Sequence, residues 1–240
     1  MQRVAIVTGG SRGIGKAIAI EFARNGYYVV INYKTNSVMA EKTLSELLAN
    51  GGTGELAQFD VANDEQSKCV LEEILARLPN VDVLINNAGI SADSLFGLMN
   101  SNQWNSVIDT TLKGFYNVTR PVIKKMTKNK KGAVVSIASV SANASNRGQT
   151  NYCAAKAGLI AASRSLATEV ARLGIRVNTI SPGAIDTEML KCMPIEKLIE
   201  MIPLGRLGSP EEIAKVAMFL CSQDASYITG QNIIVNGGMA

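Results

Sequence analysis

Short runs of apolar, mostly β-branched residues recur along the chain, without the in/out alternation that marks a half-buried strand. Runs that are apolar on both faces are typical of strands covered by helices on both sides of a parallel sheet. The predicted strands lie at residues 4–7, 28–31, 83–85, 134–137, 177–180 and 233–235. Segments with helical spacing separate them, at residues 14–24, 38–49, 65–78, 104–126, 152–173 and 211–220. Pro121 should kink the fourth predicted helix.

This alternation of strand and helix signals predicts a doubly wound α/β fold with a parallel sheet. A chain of 240 residues suits one large core, so we expect a single domain over residues 1–240. Ligands of such sheets bind at the carboxyl ends of the strands. The Met- and Pro-containing stretch 187–207 interrupts the alternation, and we interpret it as a flap over the site. An ordinary packed connection explains the same residues equally well.

The composition excludes several classes of protein. The chain has no histidine, which rules out a Ser-His-Asp hydrolase, a His-based dehydrogenase and a His-ligated metalloenzyme. Its four cysteines are far apart and form no C-x-x-C pair, so we expect neither a metal site nor disulfides, and a cytoplasmic setting. The net charge of +4 is too small to indicate a nucleic-acid partner. With neither a signal-peptide pattern nor an apolar run of about 18 residues, no membrane association is expected.

A glycine-rich loop follows the first predicted strand and leads into the first predicted helix. Glycines at such a place let the backbone approach a pyrophosphate at the positive end of a helix. A lone glycine loop also makes plain turns, but its position in an alternating chain favours a dinucleotide site of the Rossmann type. The loop residues expected to bind the cofactor are Gly9, Ser11, Arg12, Gly13, Ile14 and Gly15.

The residues after the second predicted strand indicate which cofactor fits. An NAD site usually carries Asp or Glu there, which binds the ribose 2′-hydroxyl and repels a 2′-phosphate. Residues 27–40 contain no acidic residue, and the strand runs instead into Asn32 and Lys34. Together with Arg12, Lys34 supplies a second cation for the phosphate. NADP(H) is therefore favoured over NADH, the alternative being that both cations are ordinary surface charges.

The spacing Gly9-x-x-x-Gly13-x-Gly15 resembles the T-G-x-x-x-G-[I/L]-G fingerprint of the short-chain dehydrogenase/reductase family. Further segments resemble three other family motifs: the adenine contact, the motif that follows the fourth strand, and the segment that passes beside the nicotinamide. The resemblance covers nearly the whole chain. It implies cofactor contacts from Asp60, Val61, Asn87, Ala88, Gly89, Pro182, Gly183 and Thr187.

Three residues resemble the catalytic set of that family. Tyr152 and Lys156 are four residues apart in a predicted helix and share one face. A neighbouring ammonium should lower the pKa of the Tyr152 phenol. Ser139 follows a predicted strand and precedes Tyr152 by thirteen residues, as in the family. A bare Y-x-x-x-K is common by chance, but the whole set predicts that Tyr152 protonates an alkoxide, Ser139 orients the carbonyl and Lys156 binds the nicotinamide ribose.

One position departs from the family pattern. The family usually carries a catalytic Asn in a segment like N-L-x-G, whereas here Thr111 stands at the Asn position of Thr-Leu-Lys-Gly. In the family the main-chain carbonyl at this position holds a water linked to the lysine. We therefore expect Thr111 to be a fourth catalytic residue that keeps this contact without the amide. The departure also leaves open a non-catalytic NADP(H)-binding sensor, against which the intact Ser139, Tyr152 and Lys156 argue.

Within the family, residues 146–152, 203–208, 227–230 and 235–238 resemble 3-oxoacyl-[acyl-carrier-protein] reductases. Related acetoacetyl-CoA and polyol reductases carry similar segments and remain alternatives. The resemblance implies NADPH-dependent reduction of an acyl-thioester substrate in fatty acid synthesis, and a homotetramer joined through two long helices and the C-terminal strand. A lysine cluster near 124–131 either attracts an acidic acyl-carrier protein or is an ordinary solvated face.

Overall fold

The computed structural model of the protein describes residues 2–144, 146–190 and 195–239. Within these residues seven strands pair in parallel in the order β3-β2-β1-β4-β5-β6-β7. The strands are β1 (Arg3–Val7), β2 (Tyr27–Tyr33), β3 (Thr53–Gln58), β4 (Val83–Asn86), β5 (Gly132–Ile137), β6 (Ile175–Pro182) and β7 (Asn232–Val235). The order reverses between β1 and β4, as in the doubly wound fold that the sequence predicts.

Helices cover both faces of this sheet. In the described part of the chain they are α1 (Gly13–Arg24), α2 (Ser37–Ala49), α3 (Asp64–Arg77), α4 (Ser101–Ile108), α5 (Gly114–Asn129), α6 (Thr150–Val170), α7 (Ile195–Glu200) and α8 (Pro210–Cys221). Successive strand residues point to opposite faces, which divides the core in two. Ala5 and Val7 of β1 pack with residues of α1 and α8. Val4 and Ile6 pack on the other face, with residues of α3, α5 and α6.

Two features differ from the sequence prediction. Strand β3 was not predicted, because it lies at the edge of the sheet and its residues are mostly part-exposed, so it lacks the buried apolar pattern of the other strands. The helix predicted over 104–126 is two helices, α4 and α5, joined by a π turn (Asp109–Lys113). The irregularity of this segment therefore lies at the π turn, while α5 runs from Gly114 to Asn129 with Pro121 inside it.

The predicted flap over residues 187–207 contains a 3₁₀ turn (Glu188–Leu190) and α7. Its residues 191–194 lie outside the described part of the chain. Ile202 is buried, and the Leu204 N–H donates a 3.1 Å hydrogen bond to the Gly237 carbonyl oxygen near the end of the chain. That the stretch acts as a flap remains a prediction.

Candidate active site

The glycine loop joins β1 to α1 and presents bare backbone. Gly9 and Gly13 have φ of 60° and 54°, in the left-handed region that favours glycine. A Cβ on Gly15 would overlap the carbonyl oxygen of Gly9 and the amide nitrogen of Asn87, so only glycine fits there. Arg12, at the N-cap of α1, makes no side-chain hydrogen bond to the first turn of the helix. Open N–H groups at a helix N-terminus fit the pyrophosphate of a dinucleotide.

The loop after β4 holds the glycine loop in place. The Thr8 hydroxyl accepts hydrogen bonds from the N–H groups of Asn87 and Ala88, at 2.9 and 3.0 Å. The Asn87 side chain donates to the carbonyl oxygens of Thr8 and Gly9, at 2.9 and 3.0 Å. The structure thus brings together two predicted cofactor segments, and the Asn87 amide serves to fix the shape of the glycine loop.

Asn32 anchors the end of β2 in a similar way. Its side-chain oxygen accepts a 3.2 Å hydrogen bond from the N–H of Gly9. Its side-chain nitrogen donates to the carbonyl oxygens of Ala57 and Phe59, at 3.3 and 2.9 Å. The residue is buried. The sequence predicts Asn32 as a cofactor contact, but its side-chain amide is hydrogen-bonded to the backbone of neighbouring segments.

The two cations predicted for a 2′-phosphate both have carboxylate partners. Lys34 Nζ lies 2.7 Å from Asp60 Oδ2, and Arg12 Nη1 lies 2.8 Å from Glu188 Oε2. The Lys34 and Arg12 side chains are each 63% exposed. Exposed ion pairs of this kind contribute little free energy, so a phosphate can compete with the carboxylates. The sequence pattern gave no sign of these pairings.

Other predicted cofactor residues line the same edge of the sheet. Pro182 ends β6, and the Gly183 N–H donates a 2.9 Å hydrogen bond to the Val235 carbonyl oxygen. A Cβ placed on Gly13 would contact Thr187 Cγ2 at 3.5 Å, so the start of the stretch 187–207 lies beside the glycine loop. Val61 is buried just beyond β3.

Ser139, Tyr152 and Lys156 meet at the carboxyl end of β5. Ser139 starts the 3₁₀ turn after this strand, and its hydroxyl accepts a 3.1 Å hydrogen bond from the Ser141 N–H. Tyr152 and Lys156 lie in the first turns of α6. Lys156 Nζ lies 5.6 Å from the centroid of the Tyr152 ring and donates a 2.7 Å hydrogen bond to the Ile137 carbonyl oxygen. The structure therefore brings these three side chains together.

Burial dominates the electrostatics of this group. It lowers the pKa of Lys156 to about 8. It also raises the pKa of Tyr152, while a hydrogen bond with Ser139 lowers it and the charge of Asp93 raises it further. The expected net lowering of the Tyr152 pKa is therefore not found, because desolvation outweighs the favourable hydrogen bond with Ser139. The phenol keeps its proton at neutral pH, which suits a proton donor.

Gly89 gives Lys156 the space that it needs. A Cβ on Gly89 would lie 3.3 Å from Lys156 Nζ, closer than most such contacts. The loop after β4 thus contacts the glycine loop through Asn87 and runs close to the Lys156 amine at Gly89.

Asn151 is a positioning residue that the sequence reasoning missed. It is 0% exposed, and its side-chain nitrogen donates to the carbonyl oxygens of Ala92 and Gln103, at 3.0 and 2.9 Å. Its side-chain oxygen accepts a 2.8 Å hydrogen bond from the N–H of Tyr152. One amide therefore ties the start of α6 to α4 and to the loop after β4. Its place directly before Tyr152 was the only signal, and spacing alone does not reveal such contacts.

Thr111, the fourth predicted catalytic residue, lies in the π turn and is buried. The described residues contain no cluster of three or more Cys, Asp or Glu side chains that could hold a metal ion. The three cysteines in the described ranges, Cys69, Cys153 and Cys221, are free. Among the helices that the structure describes, none combines the length and the apolar character needed to cross a membrane.

The sequence was also compared with known proteins, and the comparison identifies its family. A family model described as enoyl-(acyl carrier protein) reductase matches residues 9–240. The chain belongs to the short-chain dehydrogenase/reductase family. Its fold and family membership, both predicted from the sequence, are confirmed. As a member of this family the protein is an oxidoreductase that uses a nicotinamide cofactor.

Several relatives match along the full length of the chain. The chain is 46% identical over 240 residues to the 3-oxoacyl-[acyl-carrier-protein] reductase FabG of Pseudomonas aeruginosa, covering 99% of this chain and 97% of the relative. It is 43% identical over 238 residues to the 3-oxoacyl-[acyl-carrier-protein] reductase of a Synechocystis strain, covering 99% and 96%. The FabG protein of Staphylococcus aureus strain Mu50 is 40% identical over 242 residues, with coverage of 100% and 98%.

Proposed function

We propose that this protein uses NADPH to reduce a 3-oxoacyl thioester, carried on acyl-carrier protein, to the 3-hydroxyacyl thioester in fatty acid synthesis. The observation that carries the proposal is the meeting of Ser139, Tyr152 and Lys156 at the end of β5, close to the loop after β4 that holds the glycine loop. Such a set suits hydride addition to a carbonyl with proton transfer to its oxygen. The names of the full-length relatives support the choice of substrate.

The reaction assigns one task to each catalytic side chain. When bound, NADPH supplies the hydride for the substrate carbonyl carbon. Ser139 donates a hydrogen bond to the carbonyl oxygen, and Tyr152 donates its phenolic proton to the same oxygen as negative charge develops there. Below about pH 8 Lys156 is cationic, and its position near the Tyr152 ring stabilises the phenolate that proton transfer leaves behind.

In this proposal each group of predicted cofactor residues would hold one part of NADPH. Backbone N–H groups of the glycine loop would hold the pyrophosphate, and Lys156 the nicotinamide ribose. Arg12 and Lys34 would hold the 2′-phosphate of NADPH in place of Glu188 and Asp60, their present partners.

Lys34→Glu tests the choice of NADPH over NADH. The new carboxylate would face the 2′-phosphate and lie beside Asp60, so we expect the NADPH dissociation constant to rise on the order of 10–100-fold and that of NADH only a few-fold. Fluorescence titration of both cofactors measures this. Lys42→Glu is the matched control, because it makes the same charge reversal at an exposed position on α2. If the dissociation constants of NADPH and NADH rise equally, Lys34 lies away from the 2′-phosphate.

The substrate is tested by following NADPH oxidation with a 3-oxoacyl thioester and with the 2-enoyl thioester of the same length. We expect turnover of the 3-oxo compound, because Ser139 and Tyr152 are suited to a carbonyl oxygen. A preference for the enoyl compound, or for a simple polyol-derived ketone, would overturn the proposed substrate. Binding of NADPH without turnover of any of them would instead support the sensor alternative.

A basic surface at the end of α5 supports delivery by an acidic carrier protein. It consists of Lys124, Lys125, Lys128, Lys130 and Lys131. Two of these lysines have other contacts: Lys125 Nζ donates a 2.9 Å hydrogen bond to the Leu75 carbonyl oxygen, and Lys131 Nζ lies 4.0 Å from Asp82. Lys128 and Lys130 are exposed and form no ion pair with any residue that the structure describes.

Reversing Lys128 and Lys130 to Glu is therefore the cleanest test of this surface. We expect a higher apparent KM for carrier-linked substrate through slower association, and a smaller loss at high salt, where screening already weakens the attraction. A small CoA or N-acetylcysteamine thioester should respond much less. The same double reversal at Lys68 and Lys215, exposed on α3 and α8, is the control. If carrier-linked and small substrates lose activity equally, or neither changes, the surface is not a docking site.

We also propose a homotetramer in a cytoplasmic setting. Large apolar side chains are exposed near β7, where Tyr227 is fully exposed and Ile234 half-exposed, and also around α4 and α5, at Leu98 and Tyr116. Exposed apolar groups of this kind favour contact with other chains. Sedimentation equilibrium should give a mass of four chains, and a monomer would contradict the proposal.

A further inference from the structure

Asn117 is a buried polar residue near the start of α5 that has no part in the site described so far. It is only 6% exposed. Asparagine is a poor helix former, and a buried amide is unfavourable unless it is hydrogen-bonded. The Asn117 side-chain nitrogen donates a 2.9 Å hydrogen bond to the Val61 carbonyl oxygen. This bond joins α5 to the loop that follows β3.

Gly114 brings the same helix close to the Val61 side chain. Gly114 and Asn117 are three residues apart on α5, so they share one face of the helix. A Cβ built on Gly114 would lie 2.8 Å from Val61 Cγ2, which is too close unless one of the two atoms moves. Together these two residues fix Val61, Gly114 by close packing and Asn117 through the carbonyl oxygen.

Helix α3 holds the same loop from another direction. The Ser67 hydroxyl donates a 3.1 Å hydrogen bond to the Asp60 carbonyl oxygen and a longer one, at 3.4 Å, to the Val61 carbonyl oxygen. The Asp60 N–H donates a 3.1 Å hydrogen bond to the Gln66 side-chain oxygen. The backbone is therefore held at both Asp60 and Val61, and the shorter of the two bonds to the Val61 carbonyl oxygen comes from Asn117.

This loop lies at the adenosine end of the proposed cofactor site. Asp60 Oδ2 lies 2.7 Å from Nζ of Lys34, the cation proposed for the 2′-phosphate of the adenosine ribose. Asp60 and Val61 are the residues expected to contact the adenine. The Val61 N–H donates no hydrogen bond to any residue that the structure describes, so it is available to an acceptor such as a ring nitrogen of adenine.

We propose that Asn117 and Gly114 are positioning residues for the adenine of the cofactor, and that they act through Val61. The proposal rests on the proposed NADPH site. A loop that is already fixed loses less conformational freedom when the ligand binds, so affinity depends on the groups that fix it. Losing either contact should therefore weaken binding of the adenosine half of NADPH and leave binding of the nicotinamide half unchanged.

Asn117→Leu tests the hydrogen bond, because leucine is similar in size and has no donor. We expect the dissociation constants of NADPH and of adenosine 2′,5′-bisphosphate to rise about tenfold, the effect of one lost hydrogen bond. The dissociation constant of reduced nicotinamide mononucleotide, which lacks the adenine, should not change. Isothermal titration calorimetry measures all three.

Asn178→Leu is the matched control for this substitution. Asn178 is also buried, and its side-chain nitrogen donates a 2.8 Å hydrogen bond to the Ile228 carbonyl oxygen. It lies in β6, near the edge of the sheet opposite to β3. This variant loses the same kind of bond and should bind all three ligands like the parent protein.

Gly114→Ala gives a second test that removes no polar group and does not depend on how well Asn117→Leu folds. The added Cβ should displace Val61 and raise the dissociation constants of NADPH and adenosine 2′,5′-bisphosphate. If the parent and both variants bind the bisphosphate equally well, the proposal is wrong and the NADPH site stands. If the nicotinamide fragment is weakened as much as the bisphosphate, the two residues support the fold in general and the proposal also fails. A parent protein that does not bind the bisphosphate would overturn the proposed NADPH site itself.

Discussion

Tyr152→Phe should lower the rate of 3-oxoacyl thioester reduction by about 10²–10⁴-fold, the usual contribution of a general acid. The change removes the oxygen that carries the proton and that hydrogen-bonds to Ser139, but it keeps the ring near Lys156. Among the residues that the structure describes, no hydrogen bond joins the Tyr152 hydroxyl to the glycine loop, so NADPH affinity should stay nearly unchanged. Steady-state turnover and NADPH titration measure the two effects separately.

Tyr28→Phe is the matched control, because the Tyr28 phenol lies beside Glu55 and Arg77 near the amino-terminal end of β2, away from Ser139 and Lys156. It should behave like the parent protein in both measurements. Near-normal turnover of Tyr152→Phe would rule out the phenol as the proton donor, whereas a loss of NADPH binding in that variant would mean that the hydroxyl also supports the cofactor site.

The second large effect is expected from Gly15→Ala, which should weaken NADPH binding by about 100-fold, because small displacements of a preorganised site can cost that much. The added Cβ would overlap the Gly9 carbonyl oxygen and the Asn87 side-chain nitrogen. These two groups are hydrogen-bonded to each other, so the clash falls on the contact that shapes the glycine loop. Fluorescence titration gives the dissociation constant, and circular dichroism checks that the fold persists.

Gly97→Ala serves as the control for this substitution. Apart from its chain neighbours, no described residue has an atom within 4 Å of a Cβ built on Gly97, so alanine should be tolerated there without loss of NADPH affinity. If Gly15→Ala binds NADPH as tightly as the parent while remaining folded, the glycine loop is not the pyrophosphate site.

The interior of the sheet could be predicted from sequence because its strands are buried on both faces. In β1, for instance, residues 4–7 are all apolar and contribute to both cores, so the run stands out. The edge strand β3 could not be found in this way, since Gly54, Glu55 and Gln58 leave no continuous apolar pattern. The π turn was equally hidden, because apolar spacing does not record a single widened turn.

The residue types of the candidate site could be predicted from the sequence, but their burial and their hydrogen bonds could not. Spacing placed Tyr152 and Lys156 on one face of a helix, and the structure agrees. Spacing does not measure burial, so it gave the wrong direction for the Tyr152 pKa. Nor does it reveal hydrogen bonds between distant segments, which is why the role of Asn151 and the ion pair between Lys34 and Asp60 emerged only from the structure.

The anchoring of Asn32 bears on how readily cofactor preference can evolve. Its side chain fixes the backbone of Gly9 on one side and of Ala57 and Phe59 on the other, two residues before Lys34. In the proposed cofactor site, substitutions beyond this anchor would change the charge near the adenosine end and leave the hydrogen bond to Gly9 in place. A lineage could then alter its coenzyme preference by single steps at Lys34 and its exposed neighbours while the hydrogen bonds of Asn32 persist.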